Sequence, residues 1–96
     1  MASKRRLKKE IDYLVSDLIL DCITYNSLFK NQNHDEVLLI IQDTLILRND
    51  LRNKANHPEL RQTTEKPKAF YNNISSTLIA GVEENYARLK GFVKEI

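Results

Sequence analysis

The chain has 96 residues, of which 42% are hydrophobic and 29% are charged, and its formal net charge is +2. This composition is typical of one globular domain and excludes a disordered segment, so we expect a single domain over residues 1–96. Two glycines and two prolines are too few for the turns of an all-β protein of this length, and one cysteine, Cys22, excludes an internal disulfide and a cysteine-based zinc site.

The beginning of the chain does not have the pattern of a signal peptide. Its basic start is followed by Asp12, Asp17 and Asp21, which interrupt the apolar residues and leave no continuous apolar segment. No stretch approaches the about 20 apolar residues that a membrane-spanning helix needs. We therefore expect a cytoplasmic protein without a membrane partner.

The first helix is predicted over about residues 4–30. Apolar residues recur there in steps of three and four, which is the spacing of one helix face. The residues of this stripe are Leu7, Ile11, Leu14, Leu18, Cys22, Tyr25 and Phe29. The polar residues 31–33 are expected to end the helix.

The second helix is predicted over about residues 34–56. Asn33 or Asp35 is expected to cap its start, and Pro58 to stop it, because the residue before a proline avoids helical dihedral angles. Residues 37–41 alone would also suit a buried strand. The helical spacing continues for another four turns, however, to Ala55, and this length favours a helix.

The third helix is predicted over about residues 67–94, with Pro67 in its first turn. Asn85 is the one polar residue on its apolar stripe. It either fixes the register of the helices or lies at the edge of the stripe and reaches water. Three long helices with a short first link predict an all-α, antiparallel, up-down-up three-helix bundle.

Three short segments resemble a family of small uncharacterised bacterial helical proteins. They are Lys-Lys-Glu-Ile-Asp-Tyr-Leu at residues 8–14, His-Pro-Glu at residues 57–59, and Lys-Pro-Lys-Ala-Phe-Tyr at residues 66–71. The resemblance implies a helical, bacterial, intracellular protein and carries no function.

The sequence offers no recognisable catalytic site. His34 and His57 are predicted at opposite poles of the bundle, where they cannot share a metal within one chain, and Cys22 lies on the apolar stripe. We therefore expect a non-enzymatic binding protein without a cofactor, and no small-molecule substrate is identifiable. The alternative is a small enzyme or metal-binding protein whose site forms at a dimer interface, where His34, Asp35 and Glu36 meet groups from the other chain.

Positive charge is concentrated at one predicted pole of the bundle. Residues 1–10 carry five Lys or Arg against one Glu, and residues 48–68 carry six against three, so these segments have net charges of +4 and +3. An up-down-up bundle brings both to one end. The candidate anion-binding residues are Lys4, Arg5, Arg6, Lys8, Lys9, Arg52, Lys54, Arg61, Lys66 and Lys68.

Two interpretations of this basic pole stay open. It binds an acidic protein or nucleic acid through its concentrated charge, or the basic run is an ordinary solvated terminus. No aromatic residue interleaves with the first basic run, and no recognised nucleic-acid-binding motif is present.

Surplus apolar residues predict self-association. Leu39 and Ile46 lie seven residues apart, nearly opposite the apolar stripe of the second helix, and Tyr13 and Leu20 have the same spacing on the outer side of the first. A helix that is apolar nearly all round is usually covered on both sides, so we expect a homodimer. The alternative is that a wide core covers these residues within one chain.

Overall fold

The computed structural model describes residues 4–30, 32–60 and 66–94, apart from the side chains of Leu60 and Lys94. Its elements are helix α1 (Lys4–Leu28), helix α2 (His34–Asn56), a turn of 3-10 helix (Pro58–Leu60) and helix α3 (Pro67–Lys94). Each long helix contacts the other two, and the described residues contain no strand. The predicted all-α three-helix bundle is therefore confirmed. None of these helices combines the length and the apolar character needed to cross a membrane.

Contacts between the helices define their directions. Asp12, near the start of α1, pairs with Arg52, near the end of α2, so these two helices are antiparallel. Asp43 in the first half of α2 pairs with Arg88 near the end of α3, so that pair is antiparallel as well. The order is therefore up-down-up, in a rod-like molecule with extents of 49 × 20 × 19 Å.

The core consists of the apolar stripes that the spacing predicts. Leu18 on α1, Ile40 on α2 and Leu78 on α3 are fully buried. The other buried apolar residues are Leu7, Ile11, Val15, Cys22, Tyr25, Val37, Leu51, Ala55, Phe70, Ile74, Val82 and Leu89. Each stripe faces the axis of the bundle because a period of 3.6 residues keeps such positions on one side of a helix.

Two local details differ from the prediction. Helix α1 ends at Leu28, two residues early, because the chain turns there and the Gln32 amide donates to the Phe29 carbonyl. Asn33 precedes α2 with a left-handed φ of 54°, but its side chain makes no capping hydrogen bond. Its amide Nδ2 instead donates to the Tyr25 hydroxyl at 3.2 Å. Asn33, one of the two predicted caps, is therefore the N-cap residue, but a tertiary contact uses its side chain and only its backbone carbonyl bonds to the first turn of α2.

A buried polar network joins α2 to α3 at Asn85, which is 7% exposed. Its amide Nδ2 donates to the Thr44 hydroxyl at 3.0 Å, and that hydroxyl donates to the Ile40 carbonyl at 2.7 Å. Arg88 donates both to the Asn85 carbonyl oxygen and to Asp43. Of the two interpretations of Asn85, the structure supports a buried residue that holds the register of two helices.

Candidate binding surfaces

Cys22 has the properties of a core residue. Its side chain is fully buried on α1. Burial, reinforced by the nearby Asp21 carboxylate, raises the pKa of the Cys22 thiol to about 11. The thiol is therefore protonated near neutral pH, and a protonated, inaccessible thiol is a poor nucleophile.

The two histidines are far apart, at the start of α2 and just after its end. His34 is exposed beside the exposed Asp35 and Glu36. His57 lies 2.9 Å from a Glu59 carboxylate oxygen, and the pKa of Glu59 is lowered by a backbone hydrogen bond and by His57. Across the described residues, no three His, Cys, Asp or Glu side chains are grouped as metal ligands.

The predicted basic pole contains a cleft between α1 and α2, which we call the basic cleft. Its volume is about 440 Å³. The residues that line it are Lys4, Arg5, Lys8, Lys9, Asp12 and Arg52. It therefore brings together five of the ten predicted anion-binding residues and one carboxylate.

Asp12 organises one wall of the basic cleft. Its carboxylate accepts from Arg48 Nε at 3.2 Å and from Arg52 Nη1 at 2.5 Å. These pairs tie the start of α1 to the end of α2, but Asp12 is 44% exposed, so water screens them and each adds at most about 1 kcal/mol of stability. Their main effect is to hold two guanidinium groups beside the lysines of α1.

The remaining predicted basic residues lie outside this cleft. Arg6 on α1 and Lys54 on α2 are exposed, as are Lys66 and Lys68 at the start of α3, and none of the four lines it. Arg61 lies outside the described residues. The sequence predicts only that all ten basic residues lie at the same pole of the bundle. A cleft also requires that their side chains face one another.

Exposed apolar side chains form a second feature, which we call the α1–α2 apolar surface. Its members are Leu20, Ile23, Leu38, Leu39, Leu45 and Ile46, and their exposed fractions range from 42% to 60%. The pairing of Asp12 with Arg48 and Arg52 fixes the antiparallel register, which places Leu20 level with residues 40–44 of α2. The six side chains therefore lie in the same section of two neighbouring helices, about 12 Å long.

Three of the four predicted self-association residues belong to this surface, and all four are exposed. Leu20 is 60% exposed, Leu39 52% and Ile46 51%, so a wide core does not cover them. Ile23 was missed by the sequence reasoning. Its spacing could have indicated that it joins this surface, because Ile23 lies three residues after Leu20, on the side of α1 that is turned toward α2.

Tyr13 is the fourth predicted self-association residue, and it is 72% exposed. It lies seven residues before Leu20, which is about 10 Å along the helix. In the other direction it lies one turn from Lys9, a lining residue of the basic cleft. Tyr13 therefore borders the basic cleft more closely than it borders the centre of the apolar surface.

A third concavity, of about 320 Å³, lies between the second halves of α1 and α3, where Leu28 and Val93 line its outer part. Tyr86 also lines it, and burial together with Asp21 and Asp17 raises the pKa of this tyrosine to about 12. The phenol is therefore protonated at neutral pH and has no base-like character.

Comparisons with known proteins add no relative: the chain matches no protein-family profile, no curated protein and no solved structure. The resemblance to small bacterial helical proteins therefore stays a prediction.

Proposed function

We propose that this chain is a non-enzymatic helical interaction protein of the bacterial cytoplasm, and that it forms a homodimer through the α1–α2 apolar surface. The exposure of Leu20, Leu39 and Ile46, each more than half exposed, is the observation that carries the proposal. Ile23 lies one turn after Leu20 on α1, and Leu38 and Leu45 flank Leu39 and Ile46 along α2, where Asp43 and Asp50 also lie one turn away.

The size of the patch supports a protein partner. Six aliphatic side chains that are about half exposed present on the order of 500 Å² of apolar surface, the upper range for a single patch on a monomer. A standard interface buries about 800 Å² on each partner, with an apolar centre and a polar rim. The patch has the size of such a centre, and polar residues around it supply the rim.

The arrangement of charge is compatible with a second copy of the chain as the partner. In a two-fold pairing centred on Leu20, the helices of the two copies run antiparallel and the same patch serves both. Lys8 lies twelve residues from Leu20, so the two basic clefts are about 36 Å apart along the dimer at 1.5 Å per residue. That separation exceeds the about 8 Å screening length of physiological salt, so the two clefts do not repel one another.

The basic cleft supports a second binding role, toward an anionic partner. Five cationic side chains from two helices face one opening, and among the described residues that line it the one carboxylate, that of Asp12, is already paired with two arginines. Such a concentration of one sign of charge attracts anions over several ångströms.

The self-association proposal is tested with two matched double variants. Leu39→Glu with Ile46→Glu places two charges in the patch, and we expect a folded monomer because burying unpaired carboxylates is strongly unfavourable. Leu28→Glu with Val93→Glu makes the same change at two exposed side chains, 71% and 51%, on α1 and α3, at the concavity between those helices rather than in the patch. We expect this control to stay dimeric. Sedimentation velocity and far-UV circular dichroism report mass and helix content.

The outcomes separate three possibilities. A monomeric patch variant with native helix content, beside a dimeric control, supports the proposal. An unfolded patch variant shows that Leu39 and Ile46 stabilise the monomer instead. Wild-type protein that is monomeric at high micromolar concentration contradicts self-association.

A further inference from the structure

We propose that the basic cleft and Tyr13 together bind single-stranded nucleic acid, with the cations on phosphates and the tyrosine ring against a base. This deepens the second binding role proposed for the cleft and does not depend on the homodimer. It assigns Tyr13 to a ligand site, which the sequence reasoning did not do.

The cations follow helical rows that can track a regularly charged chain. Arg5, Lys9 and Tyr13 are spaced four residues apart along α1, about 6 Å per step, and each step also turns about 40° around the helix, so Tyr13 lies beside the lining of the cleft and not within it. Lys4 and Lys8 form the adjacent row with the same step. Two parallel rows of cations provide successive contacts for successive phosphates, as expected of a groove that follows a single strand.

The opposite wall of the cleft adds a positioned guanidinium. Arg52 comes from α2, and its ion pair with Asp12 holds it at the opening. The guanidinium keeps donors beyond those used by Asp12, and arginine presents paired donors that match phosphate oxygens. A strand entering the cleft would thus meet lysines on one side and arginine on the other.

Tyr13 favours nucleic acid over an acidic protein as the occupant. Its side chain is 72% exposed, beyond the end of the row that begins with Arg5 and Lys9. An exposed aromatic ring next to phosphate-binding cations is the combination by which proteins bind single strands, because every base has a face that can stack. An acidic peptide would use the cations and gain nothing from the ring.

The electrostatic part is tested by fluorescence anisotropy with a labelled oligouridylate across a salt series. We expect binding at low salt whose affinity falls steeply as salt rises, because phosphate contacts release counterions. Lys8→Gln with Lys9→Gln removes two contacts and should lower the slope of log affinity against log salt by about 1.4, at about 0.7 per contact on a single strand. Lys30→Gln with Lys90→Gln makes the same net-charge change at exposed sites away from the cleft and should retain the wild-type slope.

The stacking part is tested at Tyr13. Tyr13→Ala should weaken oligouridylate binding by about 5- to 100-fold without changing the salt slope, since the ring contacts no phosphate. Tyr13→Phe keeps the ring and should restore most of the affinity. This pair separates stacking from charge, because neither variant alters a cation.

Asp12→Asn gives a prediction of opposite sign. The change removes the carboxylate that Asp12 contributes to the lining of the cleft and releases Arg48 and Arg52 from their ion pairs. We expect oligouridylate to bind several-fold more tightly, although the bundle loses two interhelical contacts.

A competition experiment and the binding of wild-type protein at low salt can each contradict the proposal. Polyglutamate of equal charge should compete only weakly with labelled oligouridylate. If it competed as strongly as unlabelled oligouridylate, and if Tyr13→Ala had no effect on binding, the cleft would be a site for acidic proteins instead. The proposed site would be wrong if wild-type protein did not bind oligouridylate at low salt. It would also be wrong if the Lys8→Gln, Lys9→Gln variant and the Lys30→Gln, Lys90→Gln control lost the same amount of affinity. The monomeric Leu39→Glu, Ile46→Glu variant should still bind, so failure of one proposal does not imply failure of the other.

Discussion

At the scale of single residues, polar side chains do more to define this bundle than their number suggests. Asn85 and Thr44 meet inside the α2–α3 interface, where an apolar pair would permit several registers. The hydrogen bonds work only when the two residues are level, so they favour one alignment of the helices. Asp12 has a comparable role at the surface between α1 and α2.

Removing the Asn85 side chain tests this role. We expect Asn85→Ala to lower the free energy of unfolding by about 1–3 kcal/mol, because the buried Thr44 hydroxyl loses the donor that Asn85 supplies and keeps only its bond to the Ile40 carbonyl. Thr44→Val should cost a similar amount, and the two changes together less than their sum, since both remove one interaction. Urea denaturation measures all three variants. Asn72→Ala, at an exposed position on α3, is the control and should stay within about 0.5 kcal/mol of wild type. Fully additive losses would contradict a shared network.

At the scale of helices, the two glycines of α3 have different surroundings. A Cβ on Gly81 would lie 2.6 Å from Leu47 Cδ2 of α2, so glycine there permits close approach of the two helices. A Cβ on Gly91 would meet nothing within 4 Å. Glycine inside a helix costs up to about 1 kcal/mol relative to alanine, and only Gly81 has a contact that offsets this cost.

The matched alanine substitutions should therefore differ. We expect Gly91→Ala to raise the free energy of unfolding by about 0.5–1 kcal/mol through helix propensity alone. Gly81→Ala should show no gain or a loss, because Leu47 must shift to make room for the new methyl group. Thermal and urea unfolding of both variants test this. Equal stabilisation would show that the Gly81–Leu47 approach does not constrain the interface.

The sequence predicted the helices well because apolar spacing is a local property. Two of the three predicted ranges match, and only the end of α1 differs, where a turn closed by the hydrogen bond from the Gln32 amide to the Phe29 carbonyl replaces the last predicted helical residues. The sites were harder to predict. Position along a helix places Lys8 and Lys54 at the same pole, but the rotation of each helix about its axis decides which of them faces the cleft. That rotation is set by packing between helices, which no single segment contains.

At the scale of the whole molecule, α1 presents different charges to its two neighbouring helices. Lys4, Lys8 and Asp12 face the cleft with α2, whereas Asp17 and Asp21 act on Tyr86 of α3. The basic cleft lies at one end of α1 and α2, and the residues of the α1–α2 apolar surface lie farther along the same two helices.

The molar mass of the wild-type protein in solution tests the central claim, self-association, most directly. Sedimentation equilibrium over low to high micromolar concentrations, at physiological salt, gives that mass without any substitution. We expect the mass to rise with concentration toward twice the 11.2 kDa of one chain, and to do so equally at higher salt, because apolar burial rather than charge drives the contact. A mass of 11.2 kDa at every concentration would contradict the account.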